Sequence, residues 1–431
     1  MPALSRPSRT VLTRCTRALA VVLVPLLAVA VLSASAPAQT GFNPVAGPQF
    51  NDPTADAARQ YSITNALTDN VAHAPKGSVI RMAFYSLSIS GIVDALLKAH
   101  DRGVNVQVLM DAHGANAQWT RLAGALGTDP ASGSFAVLCQ NGCIQGYGTG
   151  SLHAKYYMFS TTGNGHWVTT VSSANPTGAQ ATQAWNNAYT TVGDTTVYRT
   201  HYDFFKEMAK SATTGPRLGS YAREVLAAPY RTYTFPRQST GTSTDTMWQI
   251  LNRVSCSGAA AGYGTAGHHT RIRVDMFEWT GNRLAVAQKL AALRKSGCSI
   301  GVIYTSGAVD DTVKTTLTGA GISVADSSKD GNGDGVADHY THDKMLMVDG
   351  KYNGNAKARR VFTGSPNLTA NSLRHNDESM VEIASSAVYT AYYTHWHDLW
   401  TWSKTASGTP TPQVKSAGGE VHLTKAQRED S

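Results

Sequence analysis

The 431 residues are 15 % charged and 42 % hydrophobic, which excludes a disordered chain and suits a large core, with two domains or two repeats as the prior. Formal charge is +8, but Arg6, Arg9, Arg14 and Arg17 supply four of those charges, and without residues 1–38 the balance is 8 − 4 = +4. That balance admits an anionic substrate and lacks the strongly basic footprint of a dedicated nucleic-acid binder.

Residues 1–38 have the layout of a secretory signal: four arginines, the apolar run Ala18 to Leu32, then Ala34-Ser35-Ala36 or Ala36-Pro37-Ala38 as a cleavage site. The run is 15 residues and contains Pro25, shorter than the ~20 that a spanning helix needs. The chain is therefore expected to be secreted and extracellular. Four cysteines then remain, Cys139, Cys143, Cys256 and Cys298. An even count in an exported chain favours disulfides. Of the three pairings, Cys139–Cys143 with Cys256–Cys298 is preferred, because each bond stays within one half.

Residues 39–58 read as an extended lead-in and Ala57 to Ala74 as a helix. Val79 to Tyr85 is a strand, Ser90 to Arg102 a helix and Asn105 to Met110 a strand, a βαβ pattern with Gly103 ending the helix. Strands at 134–138, after His153, at 167–171 and at 188–192 come next, and the helix 195–211 closes the half. The second half repeats the order: strand 272–277, helix 283–295, strand 299–304, a strand opened by His342, then 360–363, 379–383 and the helix 387–402. The landmark offsets are 297 − 103 = 194, 342 − 153 = 189, 367 − 175 = 192 and 389 − 198 = 191. Offsets this constant indicate an internal duplication of a whole lobe.

The division expected is a signal at 1–38, a first lobe at 39–212, a linker at 213–234, a second lobe at 235–405 and a disordered tail at 406–431. Gly114 to Thr128 and the Gly/Ala-rich Ser257 to Gly267 read as loops able to present apolar side chains beside a cleft. Asp330, Asn332, Asp334 and Asp338, with Gly335 at the sixth place, have the alternation of a calcium loop. Thr341 stands where an EF-hand has Glu, and a plain Asx/Gly turn explains the same residues.

Leu152-His153-Ala154-Lys155 and Thr341-His342-Asp343-Lys344 both read His-x-Lys ahead of an apolar run. Residues i and i+2 of a strand share a face, so each imidazole lies beside its ammonium group. Ser173 and Asn175, and Ser365 and Asn367, repeat the same spacing downstream. If the lobes pack about a pseudo-twofold axis, two imidazoles, two ammonium groups and several neutral donors converge. That set suits a phosphodiester: fixed donors stabilise charge growing on the non-bridging oxygens, one imidazole attacks phosphorus and the other protonates the leaving oxygen.

His-x-Lys-x₄-Asp, repeated and followed by Gly-Ser-x-Asn, resembles the phospholipase D superfamily over roughly residues 55–405. The second lobe matches fully, with His342, Lys344, Asp349, Gly364, Ser365 and Asn367. Asn376-Asp377-Glu378 resembles the family's Asn-x-Glu, whose acid braces a histidine. The first lobe departs: Ser160 replaces the Asp, Ser172 replaces the Gly, and Asn187-Ala188-Tyr189 lacks the acid. The resemblance implies an α/β fold of two pseudo-twofold-related lobes, each a mixed β-sheet flanked by helices. It implies a monomeric phosphodiesterase that needs no metal for catalysis. His153 would be the nucleophile and His342 the general acid/base, with Lys155 and Lys344 beside them. Glu378 would support His342, and Ser173, Asn175, Ser365 and Asn367 would bind the phosphate. The expected substrate is a phospholipid at a membrane or micelle surface, with water or an alcohol as acceptor. Nucleic acid is the alternative substrate, and a catalytically weak lobe pair that only binds anionic surfaces is the alternative class.

Overall fold

Alternating burial along the His-x-Lys strands explains the architecture. In the computed structural model, Tyr157 and Phe159 pack on one side of their sheet with the outer core of the first lobe, while Tyr156 and Met158 face the other lobe. Leu346 and Val348 likewise face outward, and Met345 and Met347 inward. Each sheet is thus covered on both faces, as a period-two strand with no polar face requires. The structure describes residues 41–145, 150–213, 218–237, 241–405, 423–424 and 427. The chain divides into residues 1–38 and 39–431, and all described residues belong to the second unit. The expected signal segment lies outside the described residues, as does most of 406–431.

Among the described residues, the first sheet has seven strands in the order Gly47–Phe50, Asn187–Thr191, Gly165–Ser172, Tyr156–Thr162, Val79–Phe84, Asn105–Asp111, Phe135–Cys139. The last three run parallel to one another, and the rest pair antiparallel. The second sheet repeats this core with Lys344–Tyr352 between Arg271–Met276 and Asn355–Gly364. Both are mixed sheets flanked by helices, as expected. Between them lies a shared core that includes Met158, Val171, Met347, Val381, Phe204 and Trp396. The last two come from the long helices Thr195–Thr213 and Ser386–Thr405, which close the two halves.

Three expectations change. Residues 213–234 are not simply a linker, because Arg223–Ala227 and Tyr230–Thr234 pair with each other and extend the second sheet beside Ser379–Ile383. Gly114 to Thr128 is not a lipid-facing loop. It holds the helix Ala117–Leu126, which buries Trp119, Leu122 and Leu126. Their helical spacing is visible in the sequence, but the glycines at 114, 124 and 127 obscure it. The stretch Ser257 to Gly267 is tied down by backbone bonds, among them Ala259 N–H to His268 and Ala260 N–H to Ala356. Cys139–Cys143 and Cys256–Cys298 are disulfides, the preferred pairing.

Two short cross-lobe contacts position the histidines. Tyr340–Thr341 pairs parallel with Ala184–Trp185, and His342 N–H continues the ladder to the Trp185 carbonyl at 2.8 Å. Symmetrically, Leu152 bridges Asp377, and the N–H groups of His153 and Ala154 both donate to the Asp377 carbonyl. Each His-x-Lys segment is therefore held by the opposite lobe.

Candidate active site

His153, Lys155, His342 and Lys344 are buried at the junction of the lobes, between 0 and 2 % exposed. Each lysine folds back on its own histidine, Lys155 Nζ donating to His153 O and Lys344 Nζ to His342 O, both at 2.9 Å. Lys344 Nζ also lies 3.1 Å from both ring nitrogens of His342. Aromatic side chains at equivalent places wall each pair. Tyr85 lies edge-on to His153 at 6.0 Å, and Phe277 lies 4.6 Å from His342. A continuous chain of contacts joins the two imidazoles. Tyr85 N–H donates to Asn175 Oδ1, Asn175 N–H donates to Gln180 Oε1, and Gln180 Nε2 reaches His342 Nε2.

The braces run crosswise, which corrects one expectation. Glu378 does not support His342. Its Oε1 lies 2.9 Å from His153 Nδ1, in a pair with no exposed side-chain surface. The physical reason is the bridge between Leu152 and Asp377, which sets the segment carrying Glu378, just ahead of the strand Ser379–Ile383, alongside His153. His342 is braced instead by Asn186, whose Oδ1 lies 2.9 Å from His342 Nδ1. The two braces occupy one repeat position, 378 − 186 = 192. The 192 offset of the Asn pair points to Asn186, whereas the 189 offset of the histidines points to Tyr189, and the crossing of partners is a tertiary fact that no offset contains.

Two further residues escape sequence reasoning. Asn51, 3 % exposed, donates to the carbonyls of Gln180, Ala181 and Ala184 and accepts from Asn186 N–H, so it shapes the whole His342 brace. Nothing in the Asn-rich lead-in distinguishes it. Asp377 accepts the Cys143 and Ile144 N–H groups, and burial pushes its carboxyl up to about 8.

Ser173 and Asn175 connect to the residues that contact His342, and Ser365 and Asn367 hold the equivalent positions in the second lobe. Ser173 Oγ donates to Asn186 Oδ1, so it steadies the brace. Ser365 exchanges hydrogen bonds with Ser379, the neighbour of Glu378. Asn175 Oδ1 accepts from Tyr85 and Ser86 N–H. Asn367 Nδ2 lies 3.3 Å from Glu278 Oε2. The first-lobe departures are accommodated locally. A Cβ at Gly364 would stand 2.2 Å from the Ser379 carbonyl, whereas Ser172 has room and donates to the Asn187 carbonyl. Asp349 pairs with Arg271 and Arg359, away from the histidines, and Ser160 accepts from Val79 N–H at the corresponding strand end.

Asp330, Asn332, Asp334 and Asp338 lie together in one loop, where their oxygens accept from backbone N–H groups of Gly331, Gly333, Asp334, Gly335 and Val336. That is the hydrogen bonding of an Asx/Gly turn. Among the described residues no three His, Cys, Asp or Glu side chains are grouped to hold a metal ion.

The family described as "Cardiolipin synthase, PLD-like domain" matches residues 69–209 and 265–400, one segment in each lobe. No curated protein matches the sequence. Among solved structures, phosphatidylserine synthase of Haemophilus influenzae is similar with TM-score 0.53 and 12 % identity, over 80 % of this chain and 85 % of that one. Polyphosphate kinase of Porphyromonas gingivalis aligns with TM-score 0.50 and 14 % identity over 82 % of this chain, which spans 50 % of the kinase chain. The phospholipase D family member Nuc of Salmonella typhimurium aligns over 40 % of this chain and 93 % of its own, with 16 % identity and TM-score 0.28. With the family match covering well over half its length, the chain belongs to the phospholipase D superfamily.

Proposed function

We propose that the chain is a secreted phosphodiesterase that cleaves the headgroup ester of phospholipids at a membrane or micelle surface and passes the phosphatidyl group to water or an alcohol. The observation that carries this reading is the crosswise bracing: each of two buried imidazoles takes its Nδ1 partner from the opposite lobe. A ring held through Nδ1 directs Nε2 at the substrate, as in hydrolytic triads.

His153 Nε2 attacks phosphorus, and the bond to the leaving oxygen breaks. The carboxylate of Glu378 compensates the positive charge that His153 acquires as a phosphohistidine. His342 takes up a proton at Nε2 as the anionic diester binds, gives it to the leaving oxygen, then takes one from the incoming water or alcohol, which attacks phosphorus and frees His153. Lys155, Lys344 and the amide of Asn175 supply fixed positive charge and donors for the non-bridging oxygens. Both imidazoles come from one chain, so a monomer suffices.

A phospholipid is favoured over nucleic acid by the +4 balance of residues 39–431 and by the cardiolipin synthase description of the matching family. The test is incubation with phosphatidylcholine in mixed micelles and, separately, with plasmid DNA, each in EDTA and in calcium. Headgroup release in EDTA is the expected result. Cleavage of DNA alone, with steep salt dependence, would replace the lipid reading. Turnover of neither would leave the weak binding module.

A further inference from the structure

The hydrogen bonds around His342 fix its protonation as well as its place. Asn186 Nδ2 donates to the carbonyls of Gln180 and Ala184, while its Oδ1 accepts from Ser173. The amide orientation is thereby set, and the atom facing His342 Nδ1 is an oxygen. Lys344 Nζ is 3.1 Å from both ring nitrogens and can donate to Nε2 and to the His342 carbonyl, whereas the nearer Asn186 oxygen at 2.9 Å can only accept, so Nδ1 carries the proton and Nε2 of the neutral ring holds a lone pair. Gln180 is oriented by the same logic. Its Oε1 accepts the Asn175 N–H, so its N–H₂ points at His342 Nε2, 3.5 Å away, the long end of hydrogen bonding. The residue is 5 % exposed, and its backbone carbonyl is held by Asn51 and Asn186.

The second lobe lacks this device. Its equivalent position is Ser372, 372 − 180 = 192, whose hydroxyl accepts Asn367 N–H at 3.1 Å. Serine fills the backbone-anchoring half of the glutamine's role and ends there, with no second group to extend toward an imidazole.

We propose that Gln180 is a positioning residue for His342. With Asn186 it holds the ring as the Nδ1–H tautomer, aims the Nε2 lone pair into the site, and competes with protonation of that nitrogen. The charged groups around the ring divide, a cation opposing a second positive charge and carboxyl groups favouring one. Lys344 on its own strand opposes a second positive charge. Asp275 on the neighbouring strand is buried against Asp343 and Lys344, Asp343 is bonded to His395, and Glu278 beside Phe277 is bonded to Asn367. From the other lobe the ring meets the side-chain amides of Asn186 and Gln180, both neutral. The brace at Nδ1 of His342 is a neutral amide, where His153 has a carboxylate. His342 thus rests as a base in the free protein and becomes charged for its acid step only when the anionic diester is bound. Its service as an acid declines as pH rises, at a point that Gln180 helps to set. The role in turnover rests on the proposed phosphohistidine mechanism, but the tautomer does not.

The experiment uses the full chain with ¹⁵N-labelled imidazoles, identifying the His342 signals by their loss in His342→Asn. The resting protein is expected to show a protonated Nδ1 and an unprotonated Nε2. Gln180→Glu, nearly the same shape, should raise the His342 titration midpoint by about one pH unit or more, since a carboxylate favours the charged ring. Gln180→Ser should raise it by less. In hydrolysis of a small chromogenic phosphodiester, the high-pH fall of kcat should move the same way, with KM little changed. An Nε2–H tautomer at rest, or an unmoved midpoint in a folded Gln180→Glu protein, overturns the inference. A merely structural role would lower kcat at every pH without moving the profile. If the ring midpoints shift and no phosphodiester is turned over, the tautomer assignment stands and the proposed function fails.

Discussion

At the scale of single residues, the two histidines carry the same motif and differ in what stands behind them, a carboxylate for His153 and an amide for His342. That difference makes their variants distinguishable. Either His→Ala change should lower steady-state turnover by at least ~10²–10⁴. With a nitrophenyl ester, whose leaving group needs no proton, His342→Ala should still release one equivalent of nitrophenol and accumulate phosphoryl-enzyme. His153→Ala should show no such burst, and a burst from it would reverse the two roles. Glu378→Gln keeps the shape and removes the charge. It is expected to reduce kcat by about 10² or more with little change in KM, as loss of a carboxylate behind an imidazole does elsewhere. The candidate residues themselves are legible in the sequence, because His-x-Lys and Ser-x-Asn recur at nearly one offset. The partner of each is not. Glu378 is next to Asp377, whose backbone grips His153, and only the folded chain makes that pairing.

At the scale of elements, the helix Thr195–Thr213 is tied to the second sheet by a buried histidine. His201 Nδ1 meets the Val197 carbonyl at 2.9 Å and Nε2 meets Ser379 Oγ at 2.8 Å. Burial lowers its pKa from 6.5 to about 4. The unfolded chain therefore binds a proton more readily between those values, so this contribution to stability is complete above about 6.5 and is lost as pH falls through about 4. The loss is on the order of 3 kcal/mol at most. Thermal melts of the wild type and of His201→Asn, taken from pH 7 to 4, should converge as the pH drops. A constant gap would assign the buried ring no such part. Elements with a single strong period are readable from sequence, such as Arg271–Met276, Ser299–Tyr304 and Ser379–Ile383. Tyr230–Thr234 is hidden because Pro229 and Pro236 bracket it and suggest a connector. It lies at the side of Ser379–Ile383, and pairing across that distance in sequence leaves no local trace.

At the scale of the whole molecule, two mixed sheets share one core and one site, so stability and activity should fail together. Titrating urea against both tryptophan fluorescence and phosphodiester turnover is expected to give coincident transitions. Activity lost well before the fluorescence change would mean that the lobes part while each stays folded. Duplication makes the general architecture readable, since a strand order seen once can be checked against its copy. What the copy does not reveal is how far the two have diverged at matching positions.

That divergence has a consequence for ancestry and for design. Imagine the halves recombined as identical twins. A pair of first halves would put asparagine behind both rings, leaving neither with a counter-charge for a covalent adduct. A pair of second halves would put glutamate behind both and erase the distinction between attacker and proton donor. The two halves of this single chain are thus no longer interchangeable, and under the proposed mechanism exchanging residues 186 and 378 between them should swap which imidazole bears the adduct and which ferries the proton.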